Sequence, residues 1–201
     1  MISAAPLAQS VAPASPDWTL IAQTGRGDRP AFEALYKQYY PLLFRFVYRM
    51  TRRLDLVEDV INEVMLVVWQ KAANTKPLAR ASTWILGIAH NKALQAIRQG
   101  GGNTEVIDDE RDQIMEFSWS DDGAGFNELE TEDLFLRALD YLSPEQRAVL
   151  EFVYYHGLHY NEIADLMKIP ENTVKTRVFH ARRKLRAVWP TLAGTTLAIH
   201  D

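Results

Sequence analysis

Between Gly100 and Asp133 the chain carries twelve acidic residues and a single basic one, Arg111. Like charge at this density opposes collapse, and the run Gly100-Gly101-Gly102 costs backbone entropy to order. One hydrophobic core cannot be threaded through such a strap, so the 201 residues divide into a part before it and a part after it. The strap stands at −11, and the remainder, with 21 basic and 14 acidic residues, at +7, which together make the formal −4. The low net charge thus conceals two mildly basic parts. Ile114, Met115, Phe117, Trp119 and Phe126 are more apolar side chains than a spacer needs. The strap therefore reads either as a solvated interdomain linker or as an acidic segment that occupies a basic channel on a partner.

Both flanking parts have helical periodicity. Asp28-Arg29-Pro30 is a helix start, with a capping carboxylate and Pro in the first turn. Phe32, Leu35, Tyr36 and Tyr39 then recur at helical spacing, and after Pro41 the run Leu42, Leu43, Phe46, Val47 and Met50 makes a second stripe. A third helix is expected over 55–71, buried through Leu56, Val60, Val64, Val67 and Val68. Glu58, Asp59, Asn62 and Glu63 crowd its other side. They serve either as complements to the helix dipole or as a docking face for a basic partner. Residues 72–80 break the period, and a fourth helix is expected over 82–98. Lys76 and Arg80 in the loop, with His90, Asn91, Lys92 and Arg98 in the helix, suit phosphates and exposed bases. Trp84 reads as core first and as a base-stacking group second.

After the strap, a helix through Leu134, Leu136, Leu139 and Leu142 ends at Ser143-Pro144-Glu145-Gln146, which has the form of a capping box. The next helix stops at Gly157. A short helix, Tyr160 to Met167, is followed by the corner Lys168-Ile169-Pro170 and a long helix from Glu171 to about Val188. A short helix, a tight turn and a basic helix describe a helix-turn-helix, whose second helix enters the major groove. Val174, Val178, Ala181 and Leu185 face inward. Asn172, Thr173, Lys175, Thr176, Arg177 and His180 lie on or near the groove side, and Arg182, Arg183 and Arg186 add charge.

Cysteine is absent, which excludes disulfides, thiolate metal sites and thiol nucleophiles. His159 and His180 share no ligand-like spacing, so no metal is expected. No catalytic triad or phosphate-cradling loop is present, and the chain is read as a non-enzyme without a cofactor. No run approaches 18 apolar residues, so no membrane insertion is expected. Met1–Ala14 has no basic residue before its apolar part, and it reads as a disordered leader on a cytoplasmic protein. On these residues alone, a dimeric helix-turn-helix repressor or activator and a non-DNA adaptor remain as alternatives.

The segments Tyr160-Asn161-Glu162-Ile163-Ala164-Asp165-Leu166, Ile169-Pro170-Glu171-Asn172-Thr173-Val174-Lys175-Thr176-Arg177 and Ala181-Arg182-Arg183-Lys184-Leu185-Arg186 closely resemble region four of bacterial sigma factors of the extracytoplasmic-function group. Glu58-Asp59-Val60-Ile61-Asn62-Glu63-Val64 resembles the core-binding region two of that group. Trp84-Ile85, Ile88-Ala89-His90-Asn91 and Arg98 resemble its promoter-melting helix. The pattern departs from the family at His90 (usually Arg), Gln95 (usually Asp), and Lys168 and Asn172 (both usually Gly).

The resemblance implies an all-α fold of two small helical domains joined by a flexible acidic linker. Its expected spans are a leader and helix start over 1–27, a region-two-like domain over 28–99, the linker over 100–130, a region-four-like domain over 131–188 and a tail over 189–201. It further implies that core RNA polymerase docks at Glu58, Asp59, Asn62 and Glu63. The minus-ten element would be met by Asn74, Lys76, Arg80, His90, Asn91 and Arg98. Asn172, Thr173, Lys175, Thr176, Arg177, His180, Arg182, Arg183 and Arg186 would meet the minus-35 element. An anti-sigma factor is the expected regulator, and the strap would thread the RNA exit path.

Overall fold

The computed structural model describes residues 15–77, 80–100 and 130–197, and all of its longer elements are helices. The acidic strap lies outside the described residues, apart from its last turn. Two compact units emerge: one holds the chain through Tyr48 together with Arg53–Ala93, and the other holds Arg49–Arg52 and the chain from Leu94 onward.

The first unit opens with α1 (Pro16–Thr24), inside the span 1–27 expected to hold a leader and a helix start. Pro16 occupies the first turn, where its missing N–H costs least, and Trp18, Ile21 and Thr24 are buried. The Asp17 carboxylate accepts hydrogen bonds from Gln38 Nε2 at 2.7 Å and the Tyr39 hydroxyl at 2.6 Å, which fasten α1 to the next helix. Burial and this carboxylate push the Tyr39 phenol far up, so it stays a donor. Gly25 lies against the loop after α3. A Cβ there would stand 2.7 Å from Ala73 Cα and N, inside any tolerable contact. Gly25→Ala is expected to lower stability by about 1–3 kcal/mol, as overpacking does, read as a fall in the denaturant midpoint.

Helix α2 (Arg29–Thr51) begins as expected, with Ala31 N donating to Asp28 Oδ1 at 3.1 Å. The two stripes anticipated on either side of Pro41 belong to one unbroken helix. Pro41 is exposed, and Leu35, Tyr39, Leu43, Phe46, Val47 and Met50 keep a single buried stripe past it. Complete burial of each large apolar side chain, worth about 1.5–3 kcal/mol, outweighs the one hydrogen bond that Pro41 forfeits. Helix α3 (Val57–Lys71) follows a 3₁₀ turn and buries Val57, Val60, Ile61, Val64, Met65 and Val68. Helix α4 (Ala81–Gln99) buries Ala81, Ile85, Leu86, Ala89, His90 and Ala93.

In the second unit α5 (Glu130–Leu139) and α6 (Pro144–Leu150) are joined by the expected capping box. Gln146 N donates to Ser143 Oγ, and Ser143 N donates to Gln146 Oε1, each at 3.2 Å. Beyond α6 the chain widens into a π-type turn, Glu151–Tyr155, before Gly157 stops it at φ +59°. Helices α7 (Tyr160–Met167) and α8 (Glu171–Leu197) complete the unit. α5, α6 and α7 all pack on α8, around Phe152, Ile163, Val174, Val178 and Ala181. α8 runs past the end expected near Val188 and buries Leu192.

Lys168 sits between α7 and α8 in the left-handed conformation, φ 56° and ψ 46°. Its N–H closes on Ala164 O, and Ile169 N donates to the same carbonyl at 3.1 Å. The left-handed region costs an L residue about 1–2 kcal/mol, and glycine surrenders about 0.5–1 kcal/mol in chain entropy. Lys168→Gly is therefore expected to stabilise the protein by up to about 1 kcal/mol, read as a higher denaturant midpoint.

Candidate functional site

Two surfaces draw together the polar residues singled out in the sequence. The first is the outer face of α3. Its buried residues lie on one stripe, so Glu58, Asp59, Asn62 and Glu63 are all exposed, one turn apart on the opposite side. Leu66, at 53% exposure, continues the same row. Glu63 Oε2 lies 2.8 Å from Lys92 Nζ of α4. The Tyr40 hydroxyl donates to Glu58 Oε1, and the Tyr36 hydroxyl donates to Asn62 Oδ1 at 3.0 Å. The sequence pattern put Tyr36 on one helical repeat with Phe32, Leu35 and Tyr39. The structure instead puts Leu35 and Tyr39 inside and leaves Tyr36 and Tyr40 half-buried at the helix edge. The repeat of tyrosine at positions 36 and 40, one turn apart and flanking Tyr39, was the available signal.

In the same unit Asn74, Lys76, Arg80 and Asn91 are exposed, and residues 78 and 79 between them lie outside the described chain. Asn91 Nδ2 donates to Gly87 O at 2.9 Å, which ties its amide back to the helix. Trp84 is half-buried with its ring 5.9 Å from that of Trp18, a packing role. Arg98 is exposed in the last turn of α4. His90 is a correction: it is only 3% exposed, because its position falls on the inward stripe with Leu86, Ala89 and Ala93. Its imidazole is part of the core and not of a DNA-facing surface.

The second surface is α8. With Val174, Val178 and Ala181 buried, the spacing of 3.6 residues per turn puts Asn172, Thr176, His180 and Arg183 on the opposite stripe. Thr173 lies beside that stripe, half-buried. Lys175 is exposed and paired with Glu171 at 2.9 Å, and Thr176 Oγ1 donates to Asn172 O at 2.9 Å. Arg177 is half-buried on one flank and Arg186 is exposed on the other. Arg182 is half-buried. Its guanidinium lies 5.1 Å from the Tyr154 ring centroid, on the side of α8 turned toward its own unit. At α7 the amide of His159 donates to Glu162 Oε2 at 2.8 Å, which fixes the start of the helix preceding the turn. An outward stripe of amide, hydroxyl, imidazole and guanidinium, exposed at Asn172 and Arg183 and half-buried at Thr176 and His180, can reach base edges while flanking cations meet phosphates.

Among the described residues no helix is long and apolar enough to cross a membrane.

The model of "Sigma-70 region 2" matches residues 35–102, and that of "Sigma-70, region 4" matches residues 132–185. The ECF RNA polymerase sigma factor SigL of Mycobacterium tuberculosis is 32% identical over 164 residues, covering 81% of this chain and 90% of its own. The ECF RNA polymerase sigma factor RpoE of Cereibacter sphaeroides is 28% identical over 178 residues, covering 85% and 93%. Among solved structures, CnrH in complex with the cytosolic domain of CnrY aligns with a TM-score of 0.60 at 20% identity, over 87% of this chain and 97% of that one. RpoE of Bartonella quintana, in complex with the anti-sigma factor NepR, aligns with a TM-score of 0.58 at 24% identity, over 78% and 95%. With both regions matched in order, and with a relative at this identity spanned almost end to end, the chain belongs to the extracytoplasmic-function sigma factors and serves promoter-specific transcription initiation.

Proposed function

We propose that α3 docks core RNA polymerase through Glu58, Asp59, Asn62 and Glu63, and that α8 reads the minus-35 element through Asn172, Thr173, Lys175, Thr176, Arg177, His180, Arg183 and Arg186. Asn74, Lys76, Arg80, Asn91 and Arg98 meet the melted minus-ten strand. The single observation that carries this reading is the exposure of the acidic row opposite a fully buried apolar stripe on α3. A row of exposed carboxylates repels nucleic acid and suits a basic protein surface.

The chemistry is one of binding alone. Each unit by itself makes few contacts with promoter DNA, and mounting both on the polymerase makes the second contact effectively intramolecular. Melting needs no ATP, since unstacking costs about 1–2 kcal/mol per base-pair step and capture of the unpaired strand offsets it. The protein works in the cytoplasm beside the polymerase. An anti-sigma factor restrains it, as the complex of the Bartonella quintana relative suggests. The acidic strap lies along a basic channel of the polymerase.

Purified chain added to core polymerase tests the reading. Run-off transcripts from a cognate promoter are expected only when both are present. Symmetric binding of the isolated chain to a palindromic operator, with no transcripts on addition of core, would overturn it.

A further inference from the structure

We propose that Tyr36 and Tyr40 of α2 are positioning residues for polymerase docking, holding Asn62 and Glu58 in the orientation that the partner meets. The inference rests on the assignment of α3 as the docking helix and names residues outside it. Four aromatic residues, Phe32, Tyr36, Tyr40 and Phe44, follow one another at four-residue intervals along α2. Their centroids are 6.5, 6.0 and 6.1 Å apart in succession, and Phe32 abuts Trp69 of α3 edge-on at 5.1 Å. Aromatic pairs at these distances attract beyond their burial, so each ring restrains the next. The two hydroxyls in the middle of the ladder thus have fixed positions beside α3.

Each hydroxyl spends its proton on a side chain of the acidic row, Tyr40 on Glu58 Oε1 and Tyr36 on Asn62 Oδ1. Both phenols are pushed up, Tyr36 mainly by burial and Tyr40 mainly by its hydrogen bond to Glu58, so both remain donors at neutral pH. The contact leaves Glu58 its second carboxylate oxygen and Asn62 its two amide protons. The docking face therefore offers a partner one fixed acceptor and one fixed donor. A basic surface that meets them does not have to freeze two side chains on arrival, a saving felt as affinity.

The test is the dissociation constant of the full chain for core RNA polymerase. Tyr36→Phe with Tyr40→Phe keeps every ring and removes only the hydroxyls. The double variant is expected to bind about 3- to 10-fold more weakly, the scale of two freed side chains, with an unchanged thermal midpoint. In a Glu58→Ala background the effect of Tyr40→Phe on affinity is expected to vanish, and an undiminished effect there would overturn its action through Glu58. Wild-type affinity in the double variant, alongside lost affinity in Asp59→Lys, would overturn the positioning role alone. Wild-type affinity in Asp59→Lys as well would overturn the docking helix and this inference together.

Discussion

Asp59→Lys combined with Glu63→Gln is expected to abolish association with core RNA polymerase, weakening it on the order of 100-fold or more. Putting a like charge against a basic partner costs several kcal/mol in addition to the attraction lost. Asp59 is exposed in the first turn of α3, opposite the buried Val60 and Val64, so a lysine there disturbs no packing. Glu63 needs the gentler change, since a lysine at that position would confront Lys92, now 2.8 Å away. Losing that partly exposed pair costs folding at most about 1 kcal/mol. Circular dichroism and thermal midpoint should therefore be close to wild type while a pull-down with core recovers nothing. Undiminished recovery would refute the docking face.

Replacing both Lys175 and Arg177 by Ala is expected to remove promoter-directed run-off while leaving core binding intact. A side chain engaged with a guanine edge contributes about 1–3 kcal/mol of discrimination, or about 5- to 150-fold in affinity. The two residues stand on different flanks of the outward stripe: Lys175 is exposed beside Glu171, and Arg177 is half-buried. A contact to phosphate instead of base would weaken all promoters alike and lower the salt dependence by about one unit per charge removed. Measuring run-off on cognate and altered minus-35 sequences at two salt concentrations separates the roles. Unchanged run-off from the cognate promoter in the double variant would remove both residues from the reading surface.

Periodicity made most of the helices legible, because a stripe of Val, Leu and Ile at helical spacing has one burial solution. It also made the capping box at Ser143 legible, since its two hydrogen bonds join residues three apart. Three features escaped. The break inferred at Pro41 followed from local backbone chemistry, and the buried stripe from Leu35 to Met50 overrode it. α1 was missed because its nine residues carry a single acidic side chain and little periodic signal, and Asp17 finds its partners on α2, more than twenty positions away. His90 was assigned to DNA because it stands among basic and amide side chains and at a place where the family usually has Arg. The inward register of Leu86, Ala89 and Ala93 would have argued against it.

Arg182 shows the same limit from the other side. It belongs to a run of four basic residues, Arg182, Arg183, Lys184 and Arg186, that composition treats as one group. Geometry sorts them: Arg182 goes to the Tyr154 ring and Lys184 Nζ lies 3.4 Å from Gln146 Oε1, while Arg183 and Arg186 stay exposed. Charge counted along a helix thus does not tell which cations are free to swing toward a phosphate and which are held by a neighbour.

That α5, α6 and α7 rest on the very helix proposed to read DNA has an evolutionary corollary. A lineage can retarget its promoters with least damage by drift at outward and flanking positions such as Asn172, Lys175 and Arg183, which are exposed. Changes at Val174, Val178 or Ala181 would surface as lost gene expression too, yet their origin would be collapse of the unit and not altered taste for sequence. Regulatory divergence in such a protein is funnelled through the outward half of a single helix.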